Sequence, residues 1–210
     1  MTEVRAAQLG AVIAAARRGL SAPACLYLVA NTSHLAEGWR DRAPRLELAG
    51  DARLEGMIRA ATATLDLDLV WESPADVIPL PQGWEQRARP VTAALAGSAD
   101  DAALTVRHFD PYSVVLRLVA RGDEPDYVAA LEYMRHGWVE LARLESLLDE
   151  LLPRFTRATL AQDPAEFRRK FRGLRQLTRA TSLTGPAAKA ILAPPPNAEA
   201  EAAWISSPTS

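Results

Sequence analysis

Two short polar segments carry side chains that could act on a nucleotide or hold a metal ion. Asn31-Thr32-Ser33 follows an apolar run, and Arg45-Leu46-Glu47 alternates like a half-buried strand. The first segment could contact a phosphate, because backbone N–H groups at a helix start favour anions, or it could simply cap a helix. Side chains two apart on a strand share a face. Glu47 and Arg45 could therefore form an exposed ion pair on one face of the strand.

A second pair of carboxylates has the same spacing. Asp66 and Asp68 alternate with leucines in the segment that ends at Trp71. The alternation predicts a strand from Leu65 to Trp71 with one face in water. Asp66 and Asp68 are therefore either solvent-facing residues or metal ligands in place of the Arg45–Glu47 segment.

A basic segment near the C-terminus offers a different kind of chemistry. Between Arg154 and Arg179 eight basic residues face two acidic ones, a net charge of +6 in a chain whose overall charge is −2. Helical spacing separates an apolar side from a basic side, and the candidate binding residues are Arg168, Arg169, Arg172 and Arg175. They predict a surface for RNA, including transfer RNA, or for an acidic partner protein; the alternative is a solvated face of an amphipathic helix.

The remaining composition excludes several classes of site. One cysteine rules out an internal disulfide framework and a cysteine-based zinc cluster. Three histidines scattered along the chain argue against a histidine-rich metal site, and no Ser-His-Asp arrangement is legible. No apolar run approaches the length of a membrane span. The N-terminal residues favour an amphipathic helix rather than a secretion signal, so we expect a cytoplasmic protein without membrane contact.

The elements that position these residues form two halves. Strands predicted near 25–30, 45–48, 65–71, 90–95 and 103–108 alternate with helices near 3–18, 33–39 and 52–64, and helices near 110–120, 126–134, 139–152 and 163–179 follow. The predicted class is α/β (α+β), a small mixed sheet with flanking helices and a helical C-terminal half. The domains expected are a core over 1–109, a helical half over 110–180 packed on it, and a flexible tail over 181–210.

Taken in order, these segments resemble the nucleotidyltransferase-like superfamily, and within it a bacterial family of unknown function related to abortive-infection toxin nucleotidyltransferases. The resemblance covers about residues 20–150. It rests on the strand-turn-helix containing Ala30-Asn31-Thr32-Ser33, on the segment from Pro79 to Arg87, and on the segment from Asp110 through Arg117 to Gly137. The later segments contribute most, and the order of the motifs is more specific than any one of them.

The resemblance implies a nucleotide-binding turn at Asn31, Thr32 and Ser33, and a catalytic set of Glu47, Arg117 and Asp126, with Asp123 as the alternative to Asp126. Two departures are visible. The turn lacks the family's glycine, and Arg45-Leu46-Glu47 stands where the family has the Asp-x-Asp that holds two metal ions.

The expected protein is therefore a degenerate member, of toxin–antitoxin or phage-defence type, with impaired metal-dependent nucleotidyl transfer. If it is active, Mg²⁺ on Glu47 is the implied cofactor and a nucleoside triphosphate and transfer RNA are the implied partners. The alternative is a non-catalytic module that binds RNA or a cognate protein through the basic helix around 166–179.

Overall fold

The computed structural model describes residues 3–73, 77–92, 95, 103–155 and 163–184. The described strands are β1 (Ala24–Leu28), β2 (Leu46–Gly50), β3 (Leu69–Trp71), β4 (Arg89–Pro90) and β5 (Leu104–His108). The described helices are α1 (Ala6–Gly19), α2 (Ala30–Ala36), α3 (Ala52–Thr64), α4 (Trp84–Arg87), α5 (Pro111–Arg121), α6 (Glu124–Arg135), α7 (Leu141–Leu151) and α8 (Pro164–Thr184), with a 3₁₀ turn over Leu152–Arg154. The predicted mixed α/β class is confirmed.

The five strands form one mixed sheet in the order β3-β2-β1-β5-β4. β1 runs antiparallel to β2 and parallel to β5, while β2 and β3 are parallel. The short β4 closes the other edge antiparallel to β5. The antiparallel β1–β2 pair with α2 between them places the polar turn after β1 beside the first residues of β2.

One face of the sheet is covered by α1 and α3. Leu26 and Leu28 of β1 and Leu46 and Leu48 of β2 are fully buried there, against apolar side chains of the two helices: Leu9, Val12, Ile13, Ala16, Leu54 and Ile58. Burial of large aliphatic side chains is the main favourable term in such a core. The alternation of β2 then sends Glu47 to the opposite face.

Three elements differ from the sequence-based expectation. The strand predicted from Leu65 is shortened to Leu69–Trp71, because Leu65 ends α3 and Asp66 forms a left-handed turn with φ +53°. The short helix begins at Ala30 rather than Ser33. The strand predicted over 90–95 is only Arg89–Pro90, and residues 93 and 94 lie outside the described residues.

The end of the chain also differs. α8 continues to Thr184, so the first four residues of the predicted tail are helical, and residues 185–210 lie outside the described residues. The chain divides into two compact units, Met1–Phe171 and Arg172–Ser210. In the described ranges no helix is both long and apolar enough to span a lipid bilayer.

Candidate functional site

Two buried carboxylates lie on the face of the sheet opposite α1 and α3. Glu47 pairs in register with Val70 of β3, and Glu72, two residues beyond Val70, continues the ladder because its N–H donates to the Leu48 carbonyl at 2.7 Å. By strand alternation both side chains leave the sheet on the same face. Glu47 is 1% exposed and Glu72 is 5% exposed. Carboxylates so shielded from water require hydrogen bonds or cations beside them.

Glu47 is surrounded by donors. Its Oε2 accepts from the backbone N–H and from the side-chain amide of Asn31, both at 3.0 Å, and its Oε1 accepts from Arg45 Nη2 at 3.3 Å. The Glu47 N–H donates to the Thr32 hydroxyl at 2.7 Å. The Asn31 amide oxygen in turn accepts from Arg40 at 3.1 Å. The Asn31-Thr32-Ser33 segment is therefore hydrogen-bonded to Glu47 of the same chain.

The start of α2 is strained at Ala30. Ala30 has φ +42°, in the left-handed region that side chains with a Cβ disfavour by roughly 1–2 kcal/mol. Its carbonyl accepts from the Tyr133 hydroxyl at 3.4 Å, and the Ser33 hydroxyl donates to the Leu28 carbonyl at 3.0 Å. Val29, without a side-chain hydrogen bond, is the N-cap. Asn31, Thr32 and Ser33 therefore lie inside the helix and do not cap it.

Glu72 is held by two arginines of α5. Arg117 donates to its Oε2, and Arg121 Nη1 lies 3.5 Å from its Oε1. Arg121 also makes two hydrogen bonds to Asp126, from Nε to Oδ2 at 3.2 Å and from Nη2 to Oδ1 at 2.7 Å. The side chains of Arg117 and Asp126 are each 12% exposed. We call the following set the arginine–carboxylate network: Arg45, Glu47, Glu72, Arg117, Arg121 and Asp126.

The charges in this network balance, since three guanidiniums face three carboxylates. Burial disfavours the charged form of Arg121, but its hydrogen bond to Asp126 and the negative charges of Asp126, Glu72 and Glu47 together raise its pKa. Glu47 and Glu72 thus both act on one guanidinium, which places the two acidic residues in a common electrostatic environment. An ion-paired arrangement of this kind needs no further cation to neutralise it.

Lys170 of α8 fixes the end of the helix that carries the two arginines. Its Nζ donates to the carbonyls of Ala120 at 2.7 Å and Arg121 at 2.8 Å, which are C-terminal carbonyls of α5. The Lys170 carbonyl accepts from the Tyr127 hydroxyl at 3.0 Å. Gly122 has φ +78°, and a Cβ there would lie 2.7 Å from the Lys170 Cδ. Glycine thus allows both the turn and the approach of the lysine stem.

The residues present do not fit Mg²⁺. Magnesium takes carboxylate oxygens in near-octahedral geometry, whereas the guanidiniums of Arg45 and Arg117 lie directly against Glu47 and Glu72. A cation there would meet positive charge at short range. In the part of the chain that the structure describes, no group of three or more His, Cys, Asp or Glu side chains could hold a metal ion.

The other predicted metal ligands lie in the turn before β3. Asp66 and Asp68 are exposed, and the Asp68 carbonyl accepts from the Leu46 N–H at 2.9 Å. The structure does not assemble Glu47, Asp66 and Asp68 into one metal-binding group. Both aspartates face solvent, which is the alternative to a role as metal ligands.

The basic side of α8 has the predicted amphipathic form. Phe167, Phe171 and Leu174 are buried. Of the four candidate binding arginines, Arg168, Arg169 and Arg172 are exposed and Arg175 is half-buried. Arg169 lies 3.7 Å from Glu166, one turn away. These side chains are available to solvent but do not form part of the arginine–carboxylate network.

Sequence reasoning missed two members of the network. Glu72 extends the period-two series of Asp66 and Asp68 by two further steps, and Arg121 lies one helical turn after Arg117, so each had a pattern that could have revealed it. Their pairing across 49 residues had no such pattern. The pairing of Glu72 with Arg121 depends on which helix covers this face of the sheet. The periodicity of the sequence does not determine which helix that is.

Each of the three histidines packs against a tryptophan ring, His34 and His136 against Trp39 and His108 against Trp138. His34 is fully buried, and its ring centroid lies 4.6 Å from that of Tyr133 and 5.2 Å from that of Trp39. Burial, together with the charge of Arg40, lowers the pKa of His34 to about 3. Neither ring nitrogen of His34 has a hydrogen-bond partner among the described residues. This histidine is therefore a neutral packing group.

The comparisons with known proteins give no assignment. No family model matches the chain, and the searches found no matching curated protein and no matching solved structure. The function therefore has to be argued from the residues described above.

Proposed function

We propose that this chain is a nucleotidyltransferase-like protein, of toxin–antitoxin or phage-defence type, that does not carry out metal-dependent nucleotidyl transfer. Its expected place is the cytoplasm. The fold part of the proposal is supported by the order of the elements: a strand, a short polar helix and an antiparallel strand carrying a buried acidic residue. The motifs that suggested the family lie on these elements and on the helices that follow.

One observation supports the proposed loss of nucleotidyl transfer. The buried acidic residues on this face, Glu47 and Glu72, accept hydrogen bonds or ion pairs from Asn31, Arg45, Arg117 and Arg121. In two-metal catalysis the carboxylates must coordinate cations that clamp the attacking and leaving oxygens. Arginine supplies positive charge but cannot take over coordination of both oxygens. The network therefore serves stability in place of catalysis.

Label transfer tests this conclusion. The full chain is incubated with Mg²⁺, each labelled nucleoside triphosphate and bulk transfer RNA, next to the Glu47→Gln variant as the matched control. Wild type and Glu47→Gln should both remain at the background of a reaction without protein. Label transfer by the wild type that disappears in Glu47→Gln would restore the enzyme interpretation.

A second function, RNA binding, is favoured by the exposed basic side of α8. Arg168, Arg169 and Arg172 are exposed while the apolar side of the same helix is buried. Arginine recognises phosphate through two parallel hydrogen bonds, and several such contacts make binding strongly dependent on salt. An acidic cognate protein is the alternative partner for this surface.

Salt-dependent binding of transfer RNA separates these cases. The joint change Arg168→Ala, Arg169→Ala, Arg172→Ala should weaken binding at low salt and reduce the slope of binding against salt by about one per lost contact. The joint change Arg42→Ala, Arg53→Ala, Arg59→Ala, at three exposed positions outside α8, gives the matched charge control. Equal binding by wild type and the α8 variant would leave this face without a role in RNA binding.

A further inference from the structure

A cluster of aromatic rings lies at the end of α6, apart from the arginine–carboxylate network. Trp39 contacts Tyr133 and Trp138 edge to face, and Tyr133 and Trp138 are tilted by 46°, with ring centroids 4.7 to 5.9 Å apart in the three pairs. His136 stacks on Trp39 with centroids 4.1 Å apart and planes 3° apart. A second aromatic group, Tyr27, Trp84 and Phe109, lies elsewhere in the fold. The first cluster differs from it in that histidine rings pack against the aromatic rings.

The stack of rings has a closed end and an open end. His34 and Tyr133 are fully buried, while Trp39 and Trp138 are half-buried. The side chain of His136 is 36% exposed although one face of its ring is covered by Trp39. The exposed part therefore includes the other face, which is the open end of a series that runs from His34 through Trp39 to His136.

Two guanidiniums border these rings, and neither has a carboxylate partner among the residues that the structure describes. Arg89 lies over the Trp138 ring, with its Cζ 4.3 Å from the ring centroid, and Arg40 donates to the neutral amide of Asn31. In the described part of the chain neither arginine forms an ion pair.

Two carboxylates beside the histidine rings are already engaged. Glu37 lies 2.9 Å from His108 Nε2, and Glu132 lies 2.9 Å from Arg135 and 3.6 Å from His136 Nε2. The positive charge of Arg40 and Arg89 is therefore left for a ligand.

We propose that this surface, formed by Trp39, Arg40, Arg89, His136 and Trp138, binds unpaired bases of single-stranded RNA. It rests on the RNA-binding function proposed above and adds to it a site that includes no residue of α8. A base stacks on the open face of His136 and extends the parallel Trp39–His136 stack. Arg89 and Arg40 meet the flanking phosphates. Stacking platforms bordered by cations are the general means of holding single strands without reading their sequence.

Binding of a fluorescent, short oligoadenylate to the full chain, measured by anisotropy, tests the site. His136→Ala removes the open ring and should weaken binding roughly 5- to 100-fold. His136→Phe keeps a planar ring and should retain binding close to that of the wild type. Arg89→Ala should weaken binding, whereas Arg59→Ala on α3 is the matched charge control and should not. An abasic strand of the same length should bind more weakly than oligoadenylate.

The outcomes separate this site from the basic side of α8. Loss in His136→Ala but not in the Arg168/Arg169/Arg172 variant supports stacking even if the α8 proposal fails. Loss only in the α8 variant overturns the stacking site and leaves RNA binding intact. No binding by the wild type overturns both proposals. Equal affinity for the abasic strand overturns stacking, as does equal binding by His136→Ala and wild type.

Discussion

Replacing Glu72 by Gln discriminates between a structural network and an acidic metal site. The change keeps the size of the side chain and one hydrogen-bond acceptor but removes the negative charge that Arg117 and Arg121 share. In a structural network the two guanidiniums then lose their counter-charge in a place where Glu72 is only 5% exposed. In an acidic site without bound metal, the same change relieves repulsion between carboxylates. The two interpretations therefore predict opposite signs.

The expected magnitude follows from the burial of the pair. Breaking a buried ion pair by removing one partner costs about 3–5 kcal/mol, and the retained acceptor of Gln places the loss near 3 kcal/mol. For a domain of this size 1 kcal/mol shifts the melting temperature by roughly 2–4 °C. Glu72→Gln should therefore melt about 6–12 °C below the wild type.

Urea-induced unfolding of the full chain, followed by tryptophan fluorescence at pH 7 without added divalent ions, measures this loss. Glu55→Gln is the control: it breaks the exposed i,i+4 pair with Arg59 on α3 and should change stability by less than about 0.5 kcal/mol. A Glu72→Gln protein as stable as the wild type, or more stable, would refute the structural role of the network.

Three further changes test individual features. Ala30→Gly should raise the free energy of unfolding by about 1 kcal/mol, because glycine accepts the φ of +42°; a lower urea midpoint would contradict the strain. The pKa of His34, lowered by burial to about 3, means that the folded state binds fewer protons below pH 6.5, so stability is full above that pH and is lost towards pH 3. At pH 4.5 the loss should be about 2–3 kcal/mol, and it should shrink in His34→Leu; equal slopes in both proteins would contradict this. Lys170→Met should cost about 1–3 kcal/mol through the two hydrogen bonds to the end of α5, and an unchanged melting temperature would show that this clamp is dispensable.

The general architecture could be predicted because its signals are local. The apolar runs and the alternation around Leu46 and Leu48 indicate strands, and Asp110-Pro111 marks the start of α5, where Asp110 accepts from the Tyr112 N–H at 3.2 Å. Such patterns depend on a few neighbouring residues. The mixed sheet with a helical second half follows from their order along the chain.

The candidate site was only half predictable, because its decisive contacts are long-range. Glu47 and Arg117 were identified through a family resemblance. The sequence suggested that Glu47 is exposed or binds a metal ion, whereas in the structure Glu47 is buried and hydrogen-bonded to Asn31. Glu72 and Arg121 meet across 49 residues. The strand expected from Leu65 was shortened to Leu69–Trp71 because the chain forms a left-handed turn at Asp66. Such contacts and strand lengths depend on tertiary packing, which the alternation of polar and apolar residues does not reveal.

Binding of Mn²⁺ tests whether the arginine–carboxylate network excludes a catalytic metal ion. Mn²⁺ is a paramagnetic substitute for Mg²⁺, and its free fraction is measured by electron paramagnetic resonance. The titration uses the full chain at neutral pH with a nucleoside triphosphate analogue, next to Glu47→Gln and to the analogue alone. The free Mn²⁺ signal with wild type should equal that with Glu47→Gln, because arginines lie beside the buried carboxylates. Stoichiometric Mn²⁺ binding by the wild type that disappears in Glu47→Gln would contradict this expectation.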